Sequence, residues 1–262
     1  MVHQPLRPRG HKLAPLAALA LLLAGPAAAQ TTPATTIERV KPSIVAIGSF
    51  QRLRSPQFSF AGTGFIVGDG LNVATNEHVV VKITGDKGET LAIAIPQPGN
   101  KALIRPARRL AADPESDLAL LSIEGPALPA LPLGNAAQVR EGETYLFTGF
   151  PIGAVLGLFP VTHRAMISAV SPIAIPAPRA DKLDARSVRQ IARGAYSVFQ
   201  LDATAYPGNS GSPVYHPETG VVIGIVNSVF VKSTRESALT QPSGITYAIP
   251  GQKLLELLNQ GR

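Results

Sequence analysis

Ser210 lies in the run Tyr206-Pro207-Gly208-Asn209-Ser210-Gly211-Ser212-Pro213, a glycine-rich turn that presents one hydroxyl. Acyl transfer through serine needs such a turn. With no side chain at Gly208 or Gly211, the backbone can fold so that the N–H groups of Gly208 and Ser210 converge on the oxygen of a tetrahedral intermediate. The same residues would also make an ordinary turn between strands, so the chemistry requires a base, and histidine is the side chain whose unperturbed pKa suits that task. Of the five histidines, His3 and His11 fall in an N-terminal targeting segment. His163 has no partner motif, and His216 sits in the turn His216-Pro217-Glu218-Thr219-Gly220; both read as structural. His78 remains, at the end of the apolar run Asn72 to Val80. A base of this kind is oriented by a carboxylate in a mostly apolar setting. Asp117 enters the uncharged run Leu118 to Ser122, whereas Asp113 and Glu115 read as turn residues and Asp202 precedes the serine turn too closely.

The order along the chain is base, acid, nucleophile: His78, Asp117, Ser210. That is the chymotrypsin-type order; subtilisin-type chains run acid, base, serine, and α/β-hydrolases run serine, acid, base. The α/β-hydrolase elbow G-x-S-x-G also fails, because Ser212 occupies its final glycine position and no histidine follows His216.

These three residues are far apart in sequence, so the elements between them must bring them together. Short β-type runs dominate: Ser43 to Phe50, Gly64 to Val67, Leu91 to Ile95, Leu118 to Ile123, Thr144 to Thr148, Val198 to Leu201, Val221 to Val226 and Ile245 to Ile249. Many short strands with close-spaced turn signals indicate an all-β sandwich or barrel architecture. The Pro-rich stretch Glu124 to Asn135 divides them into two groups of comparable length, hence two barrels. The spacing of Leu254, Leu255, Leu257 and Leu258 predicts a short C-terminal helix. From Ser171 to Ala195 the pattern predicts a Pro-rich loop and then a short helix capped by Asp181, with Arg186, Arg189 and Arg193 along one face that reads either as solvated or as part of a regulatory or partner-binding loop.

Composition narrows the chemistry. The 262 residues are 45% hydrophobic and 16% charged, which fits a folded chain, and cysteine is absent. Disulfides, thiol nucleophiles and Cys-ligated metals are thereby excluded; neither cofactor nor metal is expected. Residues 1–29 read as a secretory signal peptide. Arg7, Arg9 and Lys12 precede the apolar run Leu13 to Ala24, which ends in an A-x-A site at Ala27-Ala28-Ala29. Cleavage after Ala29 removes three basic residues and no acidic one, lowering the formal charge from +7 to +4. This modest balance, without a basic run, gives no reason to expect nucleic-acid binding. No later stretch is long and apolar enough to span a bilayer, so periplasmic or secreted residence without stable membrane insertion is expected. The remaining boundaries are a flexible leader at 30–36, an N-terminal barrel at 37–125, a linker at 126–135, a C-terminal barrel at 136–250 and a terminal helix at 251–262.

With those residues in hand, the chain resembles the trypsin-like serine endopeptidases of the bacterial HtrA (Deg) type, with a secondary similarity to the glutamyl endopeptidases. The matching stretches are Gly62 to Val67 (GTGFIV), Ala74 to Val80 (ATNEHVV), Asp113 to Leu121 (DPESDLALL), Leu131 to Glu143, Thr148 to Gly153 (TGFPIG), Phe199 to Val214, Val221 to Ile225 and Gly244 to Pro250. They cover about Ile37 to Leu258. The resemblance implies two six-stranded antiparallel β-barrels with the site in the cleft between them. It gives the roles of base to His78, orienting acid to Asp117, nucleophile to Ser210 and oxyanion-hole amides to Gly208 and Ser210. It departs from the common pattern at Ser212, where a second glycine is usual, and after Arg262, where PDZ modules usually follow. Peptide regulation through a PDZ module is therefore not expected in cis, and the 171–195 segment falls near loops that control activation in that group.

The pocket implied by the resemblance comprises Thr204, Ala205 and Tyr206 on one wall, with Val229 and Gly244 facing them. No acidic residue stands at its floor, and the histidine that glutamyl endopeptidases carry near Val226 is lacking. A small or medium apolar P1 residue is expected. The expected function is an exported serine endopeptidase acting on proteins or peptides through a Ser acyl-enzyme. The other reading is a protease-fold binding or chaperone-like module with little turnover. A homo-oligomer is among the assemblies the resemblance raises.

Overall fold

The computed structural model describes residues 1, 32–83, 85, 88–99, 101–153, 157–172, 196–227 and 244–260. The chain divides into two compact units, Met1–Gln30 and Thr31–Arg262; the fold and site belong to the second. The expected signal peptide, the segment from 173 to 195 and Val229 lie outside the described residues.

Twelve strands form two closed barrels. The first contains β1 (Ile44–Phe50), β2 (Phe58–Val67), β3 (Asn72–Asn76), β4 (Thr90–Gln97), β5 (Lys101–Asp113) and β6 (Leu118–Ile123). The second contains β7 (Thr144–Gly149), β8 (Val161–Pro172), β9 (Ser197–Asp202), β10 (Pro213–Tyr215), β11 (Val222–Asn227) and β12 (Ile245–Pro250). Neighbour order around the first is β1-β2-β3-β6-β5-β4, and the second repeats it with every strand number raised by six. Every pairing is antiparallel. Closure leaves neither sheet with an open edge.

Alternation of side chains along each strand builds three apolar cores. Val45 and Ile47 of β1, Ile66 of β2, Val73 of β3 and Ala119 and Leu121 of β6 fill the first barrel. Phe147, Ile167, Phe199, Leu201, Val214 and Val226 fill the second. The opposite faces of the same first-barrel strands, Ile44, Phe65, Ala74, Leu118 and Leu120, join Phe150, Tyr215, Ile225 and Ile249 of the second half in a shared core. The helix α3 (Gly251–Gln260) closes that shared core with Leu254 and Leu257.

Two shorter α-helices lie in the first half of the chain. The helix α2 (Glu77–Val80) directly continues β3 and carries His78. The helix α1 (Pro33–Val40) corrects the expected mobile leader at 30–36, which becomes helical from Pro33. Its start has a physical cause in the residues themselves. Thr32 caps the first turn by accepting from Thr35 N, and Pro33 suits the first helical position. Buried Thr36 then donates its hydroxyl to Glu218 O at 2.8 Å, while Arg39 donates to Thr219 O at 2.9 Å, tying the helix to the turn between β10 and β11.

The segment between the barrels is also fixed by backbone hydrogen bonds to both. Leu131 N donates to Ile66 O at 2.9 Å, and Gly134 N donates to Val222 O at 2.8 Å.

Candidate active site

Strand register brings the first two candidate residues together. In the β3–β6 pairing Asn76 faces Leu118, so His78, two residues past Asn76, meets Asp117, one residue before Leu118. Asp117 adopts a left-handed conformation (φ 54°), which aspartate tolerates better than most residues. Its carbonyl accepts from Glu77 N and from Asn76 Nδ2, both at 3.1 Å. Upstream, Asp113 Oδ1 accepts from Glu115 N at 3.0 Å and Ser116 N at 3.2 Å, and shapes the approach to the turn.

The Asp117 carboxylate is almost fully enclosed, and each oxygen has a donor. His78 Nδ1 lies 2.6 Å from Oδ2, and His78 N donates to Oδ1 at 2.9 Å. Asn227 Nδ2 donates to Oδ2 at 2.6 Å. A buried carboxylate is costly unless hydrogen-bonded, and these contacts meet that requirement. With Nδ1 held against Asp117, the Nε2 edge of His78 is the one left to take a proton. His78 keeps 17% of its side chain exposed, against 7% for Asp117.

Ser210 is reached from the second barrel. The turn between β9 and β10 requires glycine at two positions. Gly208 has φ 102°, and a Cβ there would stand 2.3 Å from Phe150 O; Gly211 has φ 88°, and a Cβ there would stand 2.0 Å from Thr63 O. The turn is tied internally by Asn209 N donating to Tyr206 O and Ser212 N donating to Asn209 O, both at 3.0 Å. It is tied to β11 by Gly211 N donating to Val226 O at 3.0 Å, one residue before Asn227. It is tied to the first barrel by Thr63 N donating to Ser210 O at 2.9 Å. A Cβ at Gly62 would touch both the Val79 side chain, adjacent to His78, and Ser210 O. The serine turn and the His78 helix therefore meet across one strand.

Of the expected pocket residues, Thr204, Ala205 and Tyr206 are half-buried beside the serine turn. Ala205 N donates to Thr246 Oγ1 at 2.9 Å, and that hydroxyl donates to Ala203 O at 2.6 Å. Gly244 is exposed, and a Cβ there would find open space. The other two histidines have their own surroundings: His163 stacks on Phe147 with ring centroids 4.8 Å apart, and His216 Nδ1 accepts from Glu218 N at 3.2 Å. Burial holds the His163 pKa below its ordinary value. Among the described residues no group of three or more His, Cys, Asp or Glu could hold a metal ion, and no helix is long and apolar enough to cross a membrane.

Two residues that sequence reasoning passed over belong to this site. Asn227 holds the Asp117 carboxylate; its signal was a polar side chain closing the buried apolar run of β11. Thr63 holds the serine turn, and a lone hydroxyl in the run Gly62 to Val67 gave no sign of it.

Known proteins resemble this chain in sequence and fold. The profile of the trypsin-like peptidase domain matches residues 62–225, more than half the chain. The curated protein named "Probable periplasmic serine endoprotease DegP-like" from Ectopseudomonas mendocina is 30% identical over 200 residues, covering 76% of this chain and 34% of its own length. The protein of the same name from Hahella chejuensis is 30% identical over 215 residues, covering 81% of this chain and 38% of its own. The chain thus spans about a third of these relatives. Among solved structures, HtrA-type protease AlgW with tripeptide superposes with a TM-score of 0.61 at 26% identity, covering 87% of this chain and 62% of that one. AlgW with decapeptide gives a TM-score of 0.62 at 22% identity and supports the fold alone. The chain belongs to the trypsin-like peptidase domain family and is homologous to the DegP-like, HtrA-type serine endoproteases.

Proposed function

We propose that this chain is an exported serine endopeptidase that cleaves proteins or peptides through an acyl-enzyme on Ser210. The observation that carries the reading is the doubly held Asp117 carboxylate against His78 Nδ1, with the glycine-framed Ser210 turn on the other side of Gly62. In this mechanism the Ser210 hydroxyl adds to the scissile carbonyl carbon while His78 Nε2 takes its proton. Asp117 keeps the ring in the right tautomer and stabilises the imidazolium. The Gly208 and Ser210 N–H groups receive the developing oxyanion. Collapse breaks the C–N bond, and His78 returns the proton to the departing amine. Water then adds to the Ser210 ester, gives a proton to His78, and releases the acid with the serine restored. These groups supply nucleophile, base and oxyanion donors from the polypeptide itself.

The substrate preference we propose is a small or medium apolar P1 side chain. The wall at Ala203 to Tyr206 carries no carboxylate, and Thr246 spends its hydroxyl on Ala203 and Ala205. The periplasm or the cell exterior is the proposed location, after cleavage following Ala29, in line with the periplasmic relatives. The test is casein degradation by the mature protein beside its Ser210→Ala variant, followed by a peptide-library profile. Ser210-dependent fragments with Val, Ala or Leu before the cut are expected. Degradation that survives Ser210→Ala would overturn the mechanism, and a profile dominated by Arg, Lys or Glu would overturn the pocket assignment.

A further inference from the structure

Thr63 sits on β2 of the first barrel, fully buried, and makes four hydrogen bonds. Two go to the serine turn of the second barrel: its hydroxyl donates to Gly208 O at 2.6 Å, and its N–H donates to Ser210 O at 2.9 Å. The third arrives from Phe150, whose N–H donates to the same hydroxyl at 3.0 Å. The fourth holds Thr63 itself, since Thr75 of β3 donates its hydroxyl to Thr63 O at 2.7 Å. One residue thus grips the turn on both sides of Asn209. A valine of nearly the same shape would fill the space and lose the contact to Gly208 O.

The consequence lies in backbone geometry. A trans peptide is planar, so holding a carbonyl also directs the N–H on the other side of the same bond. The Thr63 hydroxyl holds the Gly208 carbonyl and with it the Asn209 N–H, the peptide that joins the two peptides bearing the Gly208 and Ser210 N–H groups, so it sets the angle between the two groups that would receive an oxyanion. Gly208 needs this most, because glycine has no side chain to restrict its own torsions. The two peptides that carry those N–H groups have their own holds, Pro207 O accepting from Ile152 N at 2.8 Å and Asn209 O accepting from Ser212 N, and the carbonyl of the peptide between them is held by Thr63. Among the described side chains that donate to the carbonyls of residues 206–210, the Thr63 hydroxyl is the one supplied from the other barrel.

We propose that Thr63 is a positioning residue for acyl transfer: through its hydroxyl it fixes the Gly208–Ser210 turn in the geometry that stabilises the transition state, without touching substrate. The proposal rests on the serine endopeptidase reading above. It makes the hydroxyl at position 63 part of the rate, and it predicts a loss in kcat with little change in KM, because the transition state gains more than bound substrate from a fixed oxyanion site.

The experiment compares wild type, Thr63→Val, Thr63→Ala and Thr63→Ser on a chromogenic peptide. A peptide boronate serves as transition-state probe, and near-ultraviolet circular dichroism with thermal unfolding reports the fold. Removing a whole oxyanion donor costs about 10² to 10³ in rate; loosening the turn is expected to cost roughly ten- to a hundredfold in kcat. Val and Ala should show that loss with KM within about twofold, boronate affinity should fall in step with kcat/KM, and Ser should restore most of the rate. Thr36→Val removes another buried hydroxyl-to-carbonyl bond far from the site and controls for destabilisation; its kcat should match wild type. Val or Ala with wild-type kcat, or a loss that Ser fails to restore, would overturn the role of Thr63 while leaving the peptidase reading intact. A wild-type protein that neither degrades casein nor binds the boronate would overturn both.

Discussion

Gly149 ends β7 directly behind the serine turn, and replacing it with alanine gives a perturbation whose size can be read from distances. Its backbone conformation is open to any residue, so the cost is steric. A Cβ at position 149 would stand 2.0 Å from Ser212 Oγ, 2.9 Å from Thr63 Oγ1 and 3.0 Å from Asn209 Oδ1. The first distance is far inside van der Waals contact; the other two need shifts of a few tenths of an ångström. Overpacking of this kind costs about 1–3 kcal/mol, and here the displaced atoms belong to the serine turn and to its anchor. Gly149→Ala should therefore lower both the unfolding free energy and kcat. Ser212 supplies the rescue. Its hydroxyl is buried without a hydrogen-bond partner, so Ser212→Gly loses no hydrogen bond and costs about 0.5–1 kcal/mol through added backbone freedom. The same substitution removes the shortest clash. The double variant should accordingly be more stable than the sum of the two single effects by about 1 kcal/mol or more. Urea unfolding of the four proteins, followed by peptidase rates, measures this coupling. Additivity within about 0.3–0.5 kcal/mol, the range for independent sites, would refute the steric reasoning.

Three other substitutions probe the groups around Asp117 and the second barrel. Asp117→Asn keeps the shape but offers His78 Nδ1 a different partner, so kcat is expected to drop on the order of 10⁴-fold with the fold intact; a loss below tenfold would remove Asp117 from the mechanism. Asn227→Ala strips one donor from a carboxylate whose side chain is 7% exposed, and should cost about 1–3 kcal/mol of stability together with a drop in kcat; unchanged urea midpoints would contradict it. His163 titrates below its ordinary value because burial disfavours its charged form. The unfolded chain then binds that proton first, so stability is full above about pH 6.5 and falls as pH drops from there toward the lowered value. His163→Phe, which keeps the stack on Phe147, should lose less stability than wild type between pH 7.5 and 5.5, and equal losses would refute this.

The strands that could be read from sequence are those buried on both faces. β1 and β6 contribute to the first-barrel interior with one set of side chains and to the shared core with the other, so they appear as continuous apolar runs. β5 was missed for the opposite reason: Lys101, Arg108 and Arg109 face solvent on a strand whose hydrogen bonds, rather than its composition, place it in the barrel. β10 has only three residues and is wedged between the serine turn, which ends at Pro213, and the turn that begins at His216. α1 was hidden by Pro33 and its threonines, which suggested a leader although the same residues cap and start a helix. At the site, His78 and Ser210 were legible because few histidines and few glycine-framed serines compete for the roles. Thr63 and Asn227 act through contacts with groups more than a hundred residues away, and such roles leave no local pattern.

If Ser210 is the nucleophile, a fluorophosphonate probe should add once to the wild-type protein, and the modified peptide should contain Ser210 by mass spectrometry. The adduct should vanish in Ser210→Ala and form far more slowly in His78→Ala. Equal labelling of Ser210→Ala, or a native wild-type protein that stays unmodified while a control serine peptidase reacts, would contradict the mechanism.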